Sequence, residues 1–181
     1  NVPGCSLAIQ EVFEQAGFPK YAFTALLIGS KQVEKVINHR LVRAATLTGS
    51  EPAGSAVAAA AGRQIKPSVL ELGGSDPYLI LADADLEHAA EQCVQSRLLN
   101  TGQSCIGAKR FIILEKVYDD FMKLFVRKMR AAKMGDPTAA TTDLGPMARL
   151  DLRDELHEQV QKSITQGAAC ILGGEIPDRA G

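Results

Sequence analysis

The spacing of hydrophobic residues in the first 72 positions alternates between a helical and a strand-like period. The apolar residues of a predicted first helix recur on one face: Ile9, Val12, Phe13 and Ala16. Gly17 and Pro19 follow as signals for the end of that helix. A continuous apolar run predicts a strand at residues 23–28, and two further strands are predicted at 43–47 and 68–72.

Two further helices are predicted between those strands. Ser30 can cap a short helix that turns Val33, Val36 and Ile37 inward. Pro52 suits the first turn of an alanine-rich helix. Because parallel strands need crossover connections, this alternation of helices and strands predicts a parallel α/β unit.

The second half of the chain alternates in the same way. Its predicted strands are residues 78–81, 109–115 and 169–172. Asp85 can cap a helix whose inward residues recur at helical spacing: Leu86, Ala89, Ala90, Cys93 and Arg97. The next helix has an apolar face made of Tyr118, Phe121, Met122, Phe125 and Met129. A Gly/Pro/Thr-rich loop at 134–147 precedes a last helix at 148–166.

Length and composition limit the class of protein. The length of 181 residues suggests one domain or two small ones. The net charge of −1 indicates no basic patch for nucleic acid. No apolar run reaches the length of a membrane span, and no signal peptide opens the sequence. The four cysteines have no CxxC spacing and the three histidines have no metal-ligand spacing. We therefore expect no metal, no disulfide framework, no nucleic-acid or membrane partner, and a cytoplasmic location.

The stretch TGSEPAG (48–54) joins a predicted strand to a predicted helix. Gly49 and Gly54 would let the backbone approach a ligand closely, and Ser50 offers a hydroxyl. The N-terminus of the helix adds free N–H groups and a positive dipole end, so a phosphate or pyrophosphate could bind here. An ordinary strand-to-helix turn would use the same residues.

Two other residues could carry chemistry. Glu71 ends the apolar strand of VLELGG, at the place where open α/β sheets bind ligands. Cys105 ends the polar run NTGQSC on a connection between a helix and a strand, which suits a nucleophile better than a packing residue. A strand-end acid that reaches solvent and a small loop residue are the alternatives. Cys93, on an apolar helix face, and Cys170, in an apolar run, are better suited to packing.

Several motifs together resemble the aldehyde dehydrogenase superfamily, in the order and at the spacing of that family. They are VLELGG (69–74), ILADADLEHA (80–89), NTGQSC (100–105), VYDDFMKLF (117–125), MGDP (134–137) and DLGPM (143–147). TGSEPAG resembles the nucleotide-binding turn of the family. NVPGC (1–5) and ELGGSDP (71–77) look most like its bacterial succinate-semialdehyde dehydrogenase branch.

The resemblance implies roles for individual residues. Cys105 would be the nucleophile that forms a thiohemiacetal and then a thioester, and its N–H would stabilise the oxyanion. Glu71 would be the base that activates water for hydrolysis of the thioester. The cofactor, NAD or NADP, would be bound by Gly49, Ser50, Gly54 and Leu72.

The resemblance also implies the architecture and the partners. Residues 1–73 would be the latter part of a Rossmann-like NAD(P)-binding domain, and 74–181 the first part of an α/β catalytic domain. The family's oxyanion-hole Asn and ribose-binding motifs are not in this sequence, so we expect an internal fragment, inactive by itself. The full-length protein would be a homodimer or homotetramer that acts on a small aldehyde such as succinate semialdehyde.

The sequence departs from the family pattern at two positions. Ser75 follows ELGG where many members have Lys, and Leu47 opens the nucleotide turn in place of Phe. Two alternatives to a dehydrogenase remain open. One is a non-catalytic α/β module that only folds or assembles. The other is a cysteine hydrolase, which is less favoured because no His is placed to assist the thiol.

Overall fold

The computed structural model describes residues 2–178, and the chain divides into two compact units, Asn1–Leu72 and Gly73–Gly181. In chain order the elements are α1 (Pro3–Gln15), α2 (Ser30–Asn38), β1 (Ala45–Thr48), α3 (Glu51–Arg63), β2 (Ser68–Glu71), β3 (Pro77–Ile80), α4 (Leu86–Leu98), β4 (Arg110–Ile113), α5 (Glu115–Ala131) and α6 (Leu150–Thr165). A short 3-10 turn, Leu99–Gly102, follows α4. The predicted α/β class is confirmed.

The first unit is built on the parallel pair β1 and β2, which ends with Thr48 opposite Glu71. Helix α3 connects the two strands. Its 13 residues suit the crossover connection that parallel strands need. Its small residues allow close packing, and Ala60 and Ala61 form a buried cluster with Ile37 of α2. The prediction of parallel strands joined by a helix is therefore confirmed for β1, α3 and β2.

The second unit is built on the parallel pair β3 and β4, with Tyr78 opposite Phe111. Helices α4 and α5 cover one face of this pair. Phe121 of α5 is fully buried there, stacked on Phe125 at 5.6 Å between ring centroids. The paired residues Leu79 and Ile112 on the other face remain exposed. The alternation of buried and exposed positions follows from the period of two along a strand.

Two predictions in the first unit are wrong. Residues 23–28 form no strand, because their backbone finds side-chain and local partners: the N–H of Ala25 donates to Oε1 of Gln10 at 2.9 Å. Ser30 is the first helical residue of α2, and Gly29 is its cap. The N–H of Gly29 donates to Oε1 of Gln32 at 3.2 Å, so a side chain inside the helix binds the cap residue, in place of the Ser30 hydroxyl binding an N–H of the first turn.

The strand predicted at 169–172 is also wrong. This segment folds back on α6, where Nε2 of Gln161 donates to the carbonyl of Gly174 at 3.0 Å. Gly173 and Gly174 both have positive φ, which turns the chain away from a strand path. Cys170 is therefore exposed and does not lie in a buried strand. Among the helices of residues 2–178, none is both long and apolar enough to span a membrane.

Candidate active site

The predicted cofactor residues and Glu71 lie together at one edge of the β1–β2 sheet. Thr48 and Glu71 are the last residues of the two parallel strands and pair with each other. The N–H of Gly49 continues the ladder by donating to the carbonyl of Glu71 at 2.9 Å. Because both strands end here, the turn at 49–54 begins beside Glu71 and Leu72, at the edge where parallel sheets bind ligands.

The Ser50 side chain acts as the N-cap of α3. Its Oγ accepts from the N–H of Ala53 at 3.4 Å, and its carbonyl accepts from the N–H of Gly54 at 2.9 Å. Pro52 has no N–H. Within the described chain, the start of α3 therefore keeps two free N–H groups for a ligand, those of Ser50 and Glu51, which is fewer donors than the sequence suggested. The Glu51 carboxylate in the same turn would oppose a bound anion.

The two glycines of this turn have different roles. Gly54 is buried, and a Cβ atom there would lie only 2.6 Å from Cδ2 of Leu72. Gly54 thus allows α3 to pack closely against the residue that follows β2. A Cβ atom on Gly49 would meet nothing nearer than the Leu47 side chain, at 3.9 Å. Open space for a ligand therefore lies at Gly49, while Gly54 serves the packing.

Glu71 is an exposed residue at the end of β2. Its carboxylate makes no hydrogen bond or ion pair with any residue in the part of the chain that the structure describes. A carboxylate held at the end of a strand but free of partners can accept a proton from water, as a general base must. Glu71 belongs to the first unit, together with the cofactor residues, and Cys105 belongs to the second.

Cys105 is an exposed residue on the loop between α4 and β4, and its thiol is free. The chain enters this loop through three successive left-handed residues: Asn100 at φ 50°, Thr101 at φ 58° and Gly102 at φ 75°. Two of them carry a Cβ atom, so the backbone is strained here. Strain of this kind costs of order 1–3 kcal/mol per residue and is concentrated at functional sites. We call residues 102–108 the Cys105 loop.

The Cys105 loop is fastened at both ends by Arg97 of α4. The half-buried guanidinium donates to the carbonyl of Gly102 at 2.7 Å and to that of Ala108 at 2.8 Å. A Cβ atom at Gly102 would collide with this guanidinium. Ser96 adds a bond from the N–H of Ala108 to its Oγ at 3.2 Å, and this Oγ also contacts the Tyr78 hydroxyl at 2.9 Å. The ends of the loop are thus tied to α4 and, through Ser96, to β3.

The middle of the Cys105 loop is bound by Lys109. The Lys109 ammonium donates to three backbone carbonyls: Ser104 at 3.1 Å, Cys105 at 3.2 Å and Gly107 at 3.3 Å. Neither Arg97 nor Lys109 was among the site residues found from the sequence. The sequence signal that could have identified Arg97 was its position, since it is a charged residue at the end of the apolar face of α4.

The other cysteines have different surroundings. Cys93 is 3% exposed in the core of the second unit, and burial raises the pKa of its thiol. Its packing role agrees with the sequence analysis. Cys5, in the first turn of α1, and Cys170 are exposed. Cys105 is distinguished from them by its loop, which side chains hold from both ends.

Comparison with known proteins gives the family. The sequence model described as the aldehyde dehydrogenase family matches residues 1–181. The chain is 49% identical over its whole length to the succinate-semialdehyde dehydrogenase [NADP(+)] of Mycobacterium avium (strain 104), of which it covers 38%. The chain belongs to the aldehyde dehydrogenase family.

Solved structures support the same assignment. Succinic semialdehyde dehydrogenase from Streptococcus pyogenes, in complex with NADP+, superposes with a TM-score of 0.94 at 37% identity, over 97% of this chain and 39% of that one. Lactaldehyde dehydrogenase from Escherichia coli reaches the same TM-score, 0.94, at 28% identity, over 98% of this chain and 38% of that one. The fold therefore accommodates different aldehydes. The chain spans about 40% of the length of the curated relatives it matches.

Proposed function

We propose that this chain forms part of an NADP-dependent aldehyde dehydrogenase that oxidises succinate semialdehyde to succinate. The observation that supports it most is the 49% identity, over all 181 residues, to proteins named succinate-semialdehyde dehydrogenase [NADP(+)]. The exposed thiol of Cys105, on a loop that Arg97 binds at both ends, supplies the nucleophile that this reaction needs. NAD is the alternative cofactor, because structural relatives include one called an NAD-dependent aldehyde dehydrogenase.

Cys105 and Glu71 divide the chemistry between them. The Cys105 thiolate adds to the aldehyde carbon, and the carbonyl oxygen becomes the oxyanion of a thiohemiacetal. A bound nicotinamide dinucleotide supplies the acceptor for the hydride, which leaves that carbon as the carbonyl re-forms to give a thioester. Glu71 then takes a proton from water, the hydroxide adds to the thioester carbon, and the Cys105 thiolate leaves.

The cofactor would lie against the turn at Gly49, where an added Cβ atom would meet nothing nearer than 3.9 Å. Gly49 leaves open space beside the sheet edge, the Ser50 hydroxyl lies at the head of α3, and Gly54 lets α3 approach Leu72 closely. On this basis Gly49 and Ser50 would line the cofactor site, and Gly54 and Leu72 would shape it through their packing. Residues 1–73 would then belong to the cofactor domain and 74–181 to the catalytic domain.

The thiol chemistry also suggests where the protein works and how it assembles. A reduced Cys105 is needed for catalysis, and all four cysteines are free thiols, which fits the cytoplasm. The exposed apolar sheet face at Leu79 and Ile112 needs a cover, since parallel sheets are normally buried on both faces. We propose a homodimer or homotetramer for the full-length protein, acting on a small aldehyde, with no nucleic-acid or membrane partner.

A substrate and cofactor panel on the full-length protein tests this proposal. We expect faster turnover of succinate semialdehyde than of lactaldehyde or an uncharged aldehyde, and a higher kcat/KM with NADP than with NAD. No reduction of either cofactor with any aldehyde would favour the non-catalytic module. Release of acid from an activated ester, without cofactor, as the sole activity would favour the cysteine hydrolase.

The 181-residue chain by itself should show no measurable dehydrogenase activity and weak cofactor binding. Hydride transfer requires reacting atoms held at near-attack distance, and relatives use a chain about 2.5 times as long, as the 40% coverage implies. Its uncovered apolar faces should also make it self-associate. Calorimetric titration with NADP, light scattering and a succinate-semialdehyde assay measure these properties; micromolar binding with steady turnover would contradict the proposal.

A further inference from the structure

The Cys105 loop directs nearly all of its carbonyl groups towards side-chain donors. The pairs are Arg97 with Gly102 and Ala108, Asn100 with Gln103, and Lys109 with Ser104, Cys105 and Gly107. Ile106 alone among residues 102–108 has a carbonyl without a partner in the described chain. Such a concentration of cationic donors on one short loop fixes the orientation of each peptide plane, because a hydrogen bond to a charged donor is stronger than a neutral one.

The N–H groups in the middle of the loop show the complementary pattern. Those of Ser104, Cys105 and Ile106 make no hydrogen bond with any residue between 2 and 178. In a trans peptide the carbonyl of one residue and the N–H of the next point in opposite directions. Since Lys109 holds the carbonyls of Ser104 and Cys105, it turns the N–H groups of Cys105 and Ile106 away from itself. Successive free N–H groups of this kind bind anions.

We propose that Lys109 is a positioning residue: by holding the carbonyls of Ser104 and Cys105, it presents the N–H groups of Cys105 and Ile106 to the oxyanion formed at Cys105. The inference rests on the proposed function. It adds the backbone N–H of Ile106 as a second oxyanion donor. It also explains why the Lys109 ammonium binds the carbonyl of Cys105 and forms no ion pair within residues 2–178.

Binding of the substrate carboxylate is the competing role for an exposed lysine near a semialdehyde site. The contacts argue against it, since the three N–H bonds of the Lys109 ammonium are all directed to carbonyls. A carboxylate could bind only after one of those bonds had broken. The two roles predict different kinetics, because a carboxylate contact acts on binding of the charged aldehyde alone.

The first test is amide hydrogen exchange on the 181-residue chain, which needs no catalytic activity. Lys109→Met should raise exchange at Gly107 and Ala108 by about 10-fold or more, because their N–H bonds depend on the closed loop. Lys116→Met is the matched control, since Lys116 is exposed on α5 and has no partner among the described residues. It should leave exchange in the loop unchanged. Equal exchange in the two variants would overturn the proposal.

The second test is a comparison of kcat and KM in the full-length protein. Lys109→Met should lower kcat about 10- to 100-fold for succinate semialdehyde and for butanal alike, because misplaced oxyanion donors affect every aldehyde. KM should change less than about 3-fold. Lys109→Arg, which can still donate to two of the carbonyls, should recover part of kcat, and Lys116→Met should match the wild type.

The remaining outcomes also decide the question. A rise in KM for succinate semialdehyde alone, with kcat kept, would assign Lys109 to the substrate carboxylate and overturn the proposal. Faster exchange in Lys109→Met with kcat unchanged would leave Lys109 a purely structural role, which also overturns it. A wild-type protein that oxidises neither aldehyde would refute the proposed function, and hydrogen exchange would then still decide whether Lys109 orders the loop.

Discussion

The turn at residues 48–54 and the Cys105 loop are both glycine-containing connections, yet they are held by different means. The turn is held by backbone and packing: Gly49 extends the strand ladder, Ser50 caps α3, and Gly54 packs on Leu72. The Cys105 loop is held by long charged side chains, Arg97 and Lys109, that bind its carbonyls. Substitutions that change side-chain volume should therefore disturb the turn, and substitutions that remove a side-chain charge should disturb the Cys105 loop.

The difference agrees with the two proposed tasks. A cofactor edge needs open space beside a rigid sheet, which small residues provide. A nucleophile that changes its bonding during each turnover needs a loop whose peptide planes stay fixed, and hydrogen bonds from charged donors hold them more strongly than neutral ones would. The following changes test the comparison, from the largest expected effect to the smallest.

Cys105→Ser should remove aldehyde oxidation from the full-length protein, by about 10⁴-fold or more, because a serine hydroxyl is a far weaker nucleophile at neutral pH. Cys170→Ser and Cys93→Ala should keep most of the activity, since those thiols lie elsewhere in the unit. Steady-state assays with saturating aldehyde measure the effect. Loss of activity in Cys170→Ser with retention in Cys105→Ser would reverse the assignment.

Glu71→Gln should lower steady-state turnover by about 10² to 10⁴, the usual contribution of a general base. A single-turnover burst of NADPH should remain, because formation of the thioester does not need the base that hydrolyses it. Stopped-flow absorbance and mass spectrometry of the acyl-enzyme provide the readouts. Absence of the burst would place Glu71 in thiol activation or cofactor positioning, and full turnover would remove it from the mechanism.

Gly54→Ala should lower the free energy of unfolding by about 1 kcal/mol, because overpacking against Leu72 outweighs the gain in helix propensity. Gly49→Ala is the matched control: its new methyl group meets only ordinary contacts, so unfolding should change little while cofactor binding weakens. Urea denaturation and cofactor titration separate the two effects. Adding Leu72→Ala to Gly54→Ala should recover part of the loss, and an absence of coupling would show that the two residues do not pack together.

Cysteine labelling tests the smallest expected effect, which is the order in which Cys105 and Cys93 are modified. Iodoacetamide at mildly alkaline pH should modify Cys105 in the native chain while Cys93 stays unmodified until denaturant is added. Burial raises the pKa of Cys93, so less of it is thiolate at a given pH, and its 3% exposure limits access as well. Peptide mapping follows both sites. Modification of Cys93 before Cys105 would count against the nucleophile assignment.

The hydrophobic pattern predicted most of the helices because their apolar faces are periodic over several turns. The face led by Phe121 on α5 and the cap at Asp85, whose carboxylate accepts from the N–H of His88 at 3.1 Å, are examples. The two strand predictions at 23–28 and 169–172 were wrong for a common reason. A strand exists only where another strand pairs with it, and an apolar run does not reveal whether its backbone will instead bond to a side chain, as Ala25 does to Gln10, or be followed by a turn such as the one at Gly173 and Gly174.

The sequence by itself determined the family and the candidate residues, since the order and spacing of motifs such as NTGQSC are properties of the chain. Tertiary structure alone decided how the Cys105 loop is held. Arg97 and Lys109 contact carbonyls of the backbone, and a carbonyl belongs to every residue alike, so no sequence pattern marks which of them a cation will bind. The division between Gly49 as open space and Gly54 as packing likewise depends on where the Leu72 side chain lies.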